Sequence, residues 1–226
     1  MTDKILLKAE NIKKYYRVSA GFMKKKDKKI VDDVSLEVHE GETLGLVGES
    51  GCGKSTLGKV LLRLEPATSG RIYFDGEELT DESYDRHYTD MQMIFQDPLS
   101  ALNPRMTVFD IIAEPLRVCH ICEKNEVETR VYELMDEVGI HRHLAFRYPH
   151  EFSGGQCQRI GIARALAINP KLIVCGEPVS ALDASIKAQI INMFGELQEK
   201  HGMAYLFITH DLLTVRYIAH RIAVMY

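Results

Sequence analysis

GLVGESGCGKST, residues 45–56, carries the reading from which the fold follows. Gly48 to Ser55 spell glycine, four residues, glycine, lysine and serine. The short apolar run Leu44 to Val47 precedes this string, and Leu57, Val60, Leu61 and Leu64 follow it at helical spacing. A strand, a loop and a helix in that order are the context the motif requires. Gly48, Gly51 and Gly53 let the backbone turn tightly, so that N–H groups of Glu49, Ser50, Cys52 and their neighbours converge on phosphate oxygens. The positive end of the following helix faces the same anion. Lys54 adds a point charge, and Ser55, with Thr56 beside it, offers a hydroxyl to a hard cation such as Mg²⁺. Chance supplies such a string in about one chain in a hundred of this length. Cys52 reads as a small side chain at a tight turn.

Outward from this loop the chain divides into three regions. Residues 4–12 and 30–47 alternate Ile, Leu and Val with polar residues, and RIYF (71–74) runs into Asp75 and Gly76, a hairpin-turn dipeptide. The N-terminal region is therefore expected to be rich in strands. MKKKDKK (23–29) reads as a solvated loop or hairpin tip, with contact to acidic lipid headgroups as the alternative. From Thr107 to about Ala145 the spacing of Val108, Ile111, Ile112, Val127, Val131, Leu134 and Val138 predicts helices. Beyond it, KLIVC (171–175), a helix at about 184–200, MAYLFIT (203–209), a short helix and RIAVMY (221–226) predict parallel βαβ construction. Asp183 suits the N-cap of the 184–200 helix, Gly202 its C-terminal stop, and Ile186, Ile190, Met193 and Leu197 its apolar stripe.

A formal net charge of -4 over 226 residues gives no general attraction to nucleic acid, and none is expected as a partner. MTDKILLKAE lacks a basic stretch followed by an apolar segment, and no window approaches the length of a spanning helix. The five cysteines do not read as a disulfide framework.

Four further strings resemble those of ABC-transporter nucleotide-binding domains. MIFQDP (93–98) puts Gln96 at the end of an apolar strand, EFSGGQ (151–156) resembles the family signature, SALD (180–183) the D-loop, and ITHD (208–211) the segment of the switch histidine, His210. The resemblance covers essentially the whole chain, residues 1–226. It implies an α/β P-loop NTPase of ABC type, with a mostly parallel central sheet, an N-terminal antiparallel β region and a helical subdomain inserted over about 105–155. ATP and Mg²⁺ are the implied cofactors, the ion held by Ser55 and Gln96. In relatives the glutamine matching Gln96 reaches the metal and attacking water, and Glu177 of LIVCGEP (172–178) holds the general-base position. Tyr16 of ENIKKYY (10–16) matches the aromatic residue that stacks on adenine, and Tyr15 competes for that role. Ser153, Gly154, Gly155 and Gln156 open a helix whose N–H groups form a second anion site. In the family that site closes on the γ-phosphate of another subunit, with the D-loop residue Asp183 nearby.

MQMIFQDPLSALNPRMTV (91–108), IIAEPLRV (111–118), RYPHEFSGGQ (147–156) and EPVSALD (177–183) are similar to the ATP-binding subunits of oligopeptide, dipeptide and nickel importers. The resemblance therefore implies a second ATPase subunit in a homo- or heterodimer and two transmembrane permease subunits. It also implies an extracytoplasmic binding protein and a peripheral place on the cytoplasmic face of the membrane. Relatives continue past RIAVMY with another turn, a strand and a C-terminal region, which are expected to be missing here. One cassette with a short helical insert speaks against the tandem or coiled-coil relatives that act in DNA repair or translation.

Two positions depart from the family pattern. The residue that in relatives is an Asp supporting Mg²⁺ through water is Gly176, and loss of such a partner costs on the order of 10–100-fold in metal affinity or activity. ATP is expected to bind at this chain's own loop but to turn over poorly, and a non-hydrolysing regulatory partner is the alternative. Cys157 stands where relatives commonly carry a basic or polar residue, which either weakens a contact with phosphate or partner or is neutral. Cys119 and Cys122 lack the second pair that would complete a zinc site.

Overall fold

The computed structural model describes residues 3–19 and 25–226. In chain order the elements are β1 (Ile5–Ser19), β2 (Lys25–His39), β3 (Thr43–Gly48), α1 (Lys54–Leu61), β4 (Ser69–Phe74), β5 (Glu77–Glu78), α2 (Asp81–His87), β6 (Met91–Ile94), α3 (Val108–Val118) and α4 (Val127–Glu137). They continue with α5 (Gly154–Leu166), β7 (Leu172–Gly176), α6 (Ala184–His201), β8 (Ala204–Thr209), α7 (Leu212–Ile218) and β9 (Arg221–Met225), with short 3₁₀ turns at 142–144 and 149–151. The chain forms two compact units, Met1–Tyr88 with Ala204–Tyr226, and Thr89–Met203.

In the first unit an antiparallel sheet has the order β2-β1-β4-β5. Asp75 and Gly76 turn β4 into β5 with φ of 50° and 84°, the double positive φ that a tight two-residue hairpin demands. The other strands of this unit are parallel: β3 lies between β8 and β9, with Val47 opposite both Thr209 and Val224. Leu7, Ile12, Leu57, Leu61, Phe74, Leu206 and Phe207 fill the core. Every residue of β8 is buried, as a strand covered on both faces requires. Of the MKKKDKK stretch, read as a solvated loop or hairpin tip, the described part is strand at the far end of the β1–β2 hairpin. Lys25 to Lys29 belong to β2 and pair with Ser19 back to Tyr15, while Met23 and Lys24 lie outside the described residues. Residues 26–29 remain exposed, because this far end of the ribbon needs ladder hydrogen bonds but no core. Helix α2, which no apolar period announces, is set by a capping box in which Ser83 N–H donates to Thr80 Oγ1 at 3.2 Å and Thr80 N–H to Ser83 Oγ at 2.8 Å.

The second unit holds the parallel pair β6 and β7, with Met91 to Ile94 opposite Leu172 to Cys175. Its helices bury Ile111, Leu116, Val131, Leu134, Ile160 and Phe194. The helices expected over 107–145 are α3 and α4. Thr107 caps α3 by accepting Asp110 N–H at 3.2 Å. Asp183 caps α6 by accepting Ile186 N–H at 3.0 Å, and Gly202 stops it at φ 71°.

Candidate phosphate and signature sites

In the first unit, β3 ends at Gly48 and α1 begins at Lys54, so residues 49–53 form the loop. Gly53 has φ 104°, and a Cβ there would lie 2.3 Å from the Ile30 carbonyl oxygen. No other residue type fits that backbone. Lys54 is 3% exposed, and its ammonium donates to Gly48 O at 2.8 Å and Glu49 O at 2.7 Å. A charge buried so deeply needs those acceptors. The Cys52 thiol lies 3.7 Å from the same ammonium. Glu49, Ser50, Gly51 and Ser55 are exposed, Thr56 is half-buried, and no side chain caps the start of α1. Exposed backbone at a helix N-terminus, a lysine held within the loop and a surface hydroxyl fit a nucleotide phosphate with its magnesium ion.

His210 follows Thr209, the partner of Val47, and so leaves β8 at the level where the loop leaves β3. Both are at C-terminal ends of parallel strands, where ligands of open α/β sheets bind. Tyr16 is 38% exposed, its hydroxyl is bonded to Glu65, and Lys14 Nζ lies 4.9 Å from the centre of its ring. Tyr15 is half-buried and bonded to Asp32. The hydrogen bond to a carboxylate raises the pKa of each phenol.

The second unit brings together Gln96, Gly176, Glu177, Asp183 and the signature residues. Gln96 Nε2 donates to Glu177 Oε2 at 3.5 Å. Glu177 has φ 50°, and its carbonyl accepts Ser180 Oγ–H at 3.1 Å. Gly176 ends a fully buried strand. Ser153 caps α5 reciprocally with Gln156: Gln156 N–H donates to Ser153 Oγ at 3.3 Å, and Ser153 N–H to Gln156 Oε1 at 3.0 Å. The helix thus begins at Gly154. A Cβ on Gly155 would lie 2.5 Å from Ile186 Cγ2 of α6, and one on Gly154 would lie 3.8 Å from Leu182 Cδ2. Signature and D-loop therefore pack on each other. Asp183 has its pKa lowered by the Ile186 N–H and the Ser185 hydroxyl.

Cys157 is 1% exposed and donates to Pro149 O at 3.4 Å, so its thiol points into the protein, and burial raises its pKa. Cys175 is wholly buried, and that burial pushes its thiol up as well. Sequence reasoning passed over Arg159 and Arg164, whose only signal is a charge inside the apolar run of α5. Arg159 Nη1 donates to Val138 O at 2.7 Å, and Arg164 Nη1 to Ala101 O at 2.7 Å.

A glycine loop around a buried lysine, between a parallel strand and a helix, defines a nucleotide-binding protein of the P-loop class. The pattern of the family described as ABC transporter matches residues 31–180, and the chain belongs to that family. It is 52% identical to the oligopeptide transport ATP-binding protein OppF of Bacillus subtilis (strain 168), covering 100% of this chain and 74% of that protein. It is 51% identical to OppF of Escherichia coli (strain K12), covering 99% and 69%. Among solved structures it superposes with TM-score 0.85 and 29% identity on the post-hydrolysis dimer of the ATP-binding cassette MJ0796 bound to ADP and Pi, covering 97% of this chain and 94% of that one.

Proposed function

We propose that this chain is the ATP-binding subunit of a peptide importer, driving transport by ATP binding and hydrolysis in a dimer of cassettes. The observation that supports this most directly is identity of about one half, over essentially the full chain, to oligopeptide transport ATP-binding proteins. In this reading Gly48 to Thr56 cradle the phosphates, Lys54 neutralises their charge, and Tyr16 stacks on the adenine. By the family pattern Ser55 and Gln96 would hold Mg²⁺, which when bound would supply charge neutralisation on the phosphoryl oxygens. Glu177 takes the proton of the attacking water, and Gln96 and His210 orient the reactants. Ser153 to Gln156 present helix N–H groups to the nucleotide of a second cassette, and Asp183 fixes the neighbouring turn.

The partners are a second ATPase subunit and two membrane permeases, reached from the cytoplasmic face, with an extracytoplasmic binding protein delivering the peptide. The loop after Gln96 and the helical segment supply the docking surface, consistent with the exposed Leu99, Val118 and Phe146. No helix among the described residues is long and apolar enough to cross a membrane. A second reading rests on Gly176: with no carboxylate there, this subunit holds ATP as a regulatory clamp while the partner's loop carries the turnover.

Purifying the full-length protein from its native membrane tests the assignment. Two permeases, a second ATPase and a peptide-binding protein are the expected companions. A soluble protein with no permease attached would overturn it. Measuring ATP binding and turnover separately in that assembly distinguishes the clamp from the enzyme.

A further inference from the structure

The loop after β6 carries Gln96 and is folded by its own side chains. Asp97 Oδ1 accepts Leu99 N–H at 3.1 Å and Ser100 N–H at 3.3 Å, and Asp97 O accepts Ala101 N–H at 3.2 Å. Leu102 then anchors the far side of the turn in the core. The Ala101 carbonyl leaves this turn toward α5 and accepts Arg164 Nη1 at 2.7 Å. Arg164 is half-buried, and burial lowers its pKa while Glu114 of α3 opposes that shift. Removing an arginine partly from water is costly unless its donors are used.

The opposite end of α5 is the signature. Between its ends the helix is fastened to other helices: Arg159 reaches Val138 O at 2.7 Å and Gln189 Oε1 at 3.1 Å, and Gly155 packs against Ile186. These contacts make α5 a stiff rod. Ten residues separate Gly154 from Arg164, about 15 Å along a helix. The bond from Arg164 to Ala101 O joins this rod to the turn that follows Gln96.

We infer that Arg164 is a positioning residue for ATP turnover: through the Ala101 carbonyl it ties the Gln96 loop to the signature helix, so that both shift as one piece. This deepens the ATPase reading above and rests on it. In this role Arg164 acts through the Ala101 carbonyl and not on the nucleotide itself. It makes the orientation of Ser153 to Gly155 depend on the loop that contacts the membrane subunits. Small misplacements of such groups are expensive, on the order of a hundredfold in rate for 1 Å.

The test uses the complete importer in lipid vesicles, with Arg164→Met and Arg164→Lys in this subunit. Three quantities are measured: affinity for a fluorescent ATP analogue, kcat and KM for Mg-ATP with loaded binding protein present, and amide hydrogen exchange at 97–103 and 154–157. Arg164→Met is expected to leave affinity and KM within about twofold, to lower kcat about tenfold or more, and to speed exchange in both segments. Arg164→Lys keeps one charged donor and restores much of kcat together with protection in both segments. An unchanged kcat, or faster exchange confined to 97–103, overturns the inference. So does a raised KM at constant kcat, which would mark a binding contact instead. If the unmodified assembly hydrolyses no ATP, the ATPase reading fails by itself, and the exchange pattern still decides whether the tether exists.

Discussion

Gln96 and Glu177 meet at the ends of adjacent parallel strands, the amide donating to the carboxylate at 3.5 Å. Their register demands it. Ile94 pairs with Cys175, so each residue stands two positions beyond the same rung. Glu177 reaches this place with φ 50°, a conformation that costs a side-chain-bearing residue about 1–2 kcal/mol. Strain of that kind persists where the surroundings over-determine it, as functional sites do.

Gly176, next to that carboxylate, offers a gain of function. A Cβ there would sit 3.4 Å from Ile94 O and from Met93 Cε, an ordinary contact, and the residue has no positive φ. The backbone at Gly176 therefore accepts a Cβ. Steady-state Mg-ATP turnover of the assembled pair should rise about 10–100-fold at this subunit's own loop, with ATP affinity little changed. An unchanged rate would remove Gly176 as the limitation.

Two glycines of the phosphate loop should respond unequally to alanine. Gly51 has φ 84° with nothing near its missing Cβ, whereas Gly53 combines φ 104° with the Ile30 carbonyl at 2.3 Å. Gly51→Ala should cost about 1–2 kcal/mol and leave nucleotide affinity within tenfold. Gly53→Ala must displace backbone and should abolish binding. Titration with a fluorescent ATP analogue and thermal unfolding of both variants check this, and equal affinities would contradict it.

Features whose cause is local could be read before folding. The glycine loop between an apolar run and a helical period is one. Asp75-Gly76 is another, as are Asp183 and Gly202, which bracket α6. Reading failed where the cause is distant. The lysines of 25–29 gave no strand signal, yet β1 supplies the ladder. For Cys157 the sequence left a weakened contact or a neutral change open, and only the fold places its thiol against Pro149 in the interior. Motifs named the site residues one by one. That Gln96 meets Glu177, that Gly155 lies on Ile186, and that Arg164 finds a carbonyl 63 positions away depend on tertiary register.

The contact between signature and α6 predicts a compensating pair. Gly155→Ala would put its Cβ 2.5 Å from Ile186 Cγ2 and should destabilise by about 1–3 kcal/mol. Ile186→Ala removes the offending methyl, so the double variant should recover most of the loss caused by Gly155→Ala. Denaturant unfolding of all four proteins in a double-mutant cycle measures the coupling. Additive effects would mean that the two residues do not press on each other.

Glu137 gives the second unit a predictable acid sensitivity. Its carboxylate, 11% exposed, receives His201 Nε2 at 2.7 Å and Lys200 Nζ at 3.1 Å, joining α4 to α6. Burial alone would raise its pKa, but the hydrogen bonds and charges of His201 and Lys200 outweigh it, and the net shift is downward. A carboxyl depressed in the folded state adds stability that is fully present above its unfolded pKa, near 4.3 for Glu, and is lost as pH falls through the lower folded value. The stability gap between the native sequence and Glu137→Gln should therefore be present throughout the range above the unfolded value. It should hold down to about pH 4.3 and close below it. Other carboxylates titrate in both proteins and cancel in the difference. Thermal midpoints from pH 7 down to pH 3 provide the measurement, and a gap of constant size over that whole range would show that the Glu137 cluster contributes no acid-labile stability.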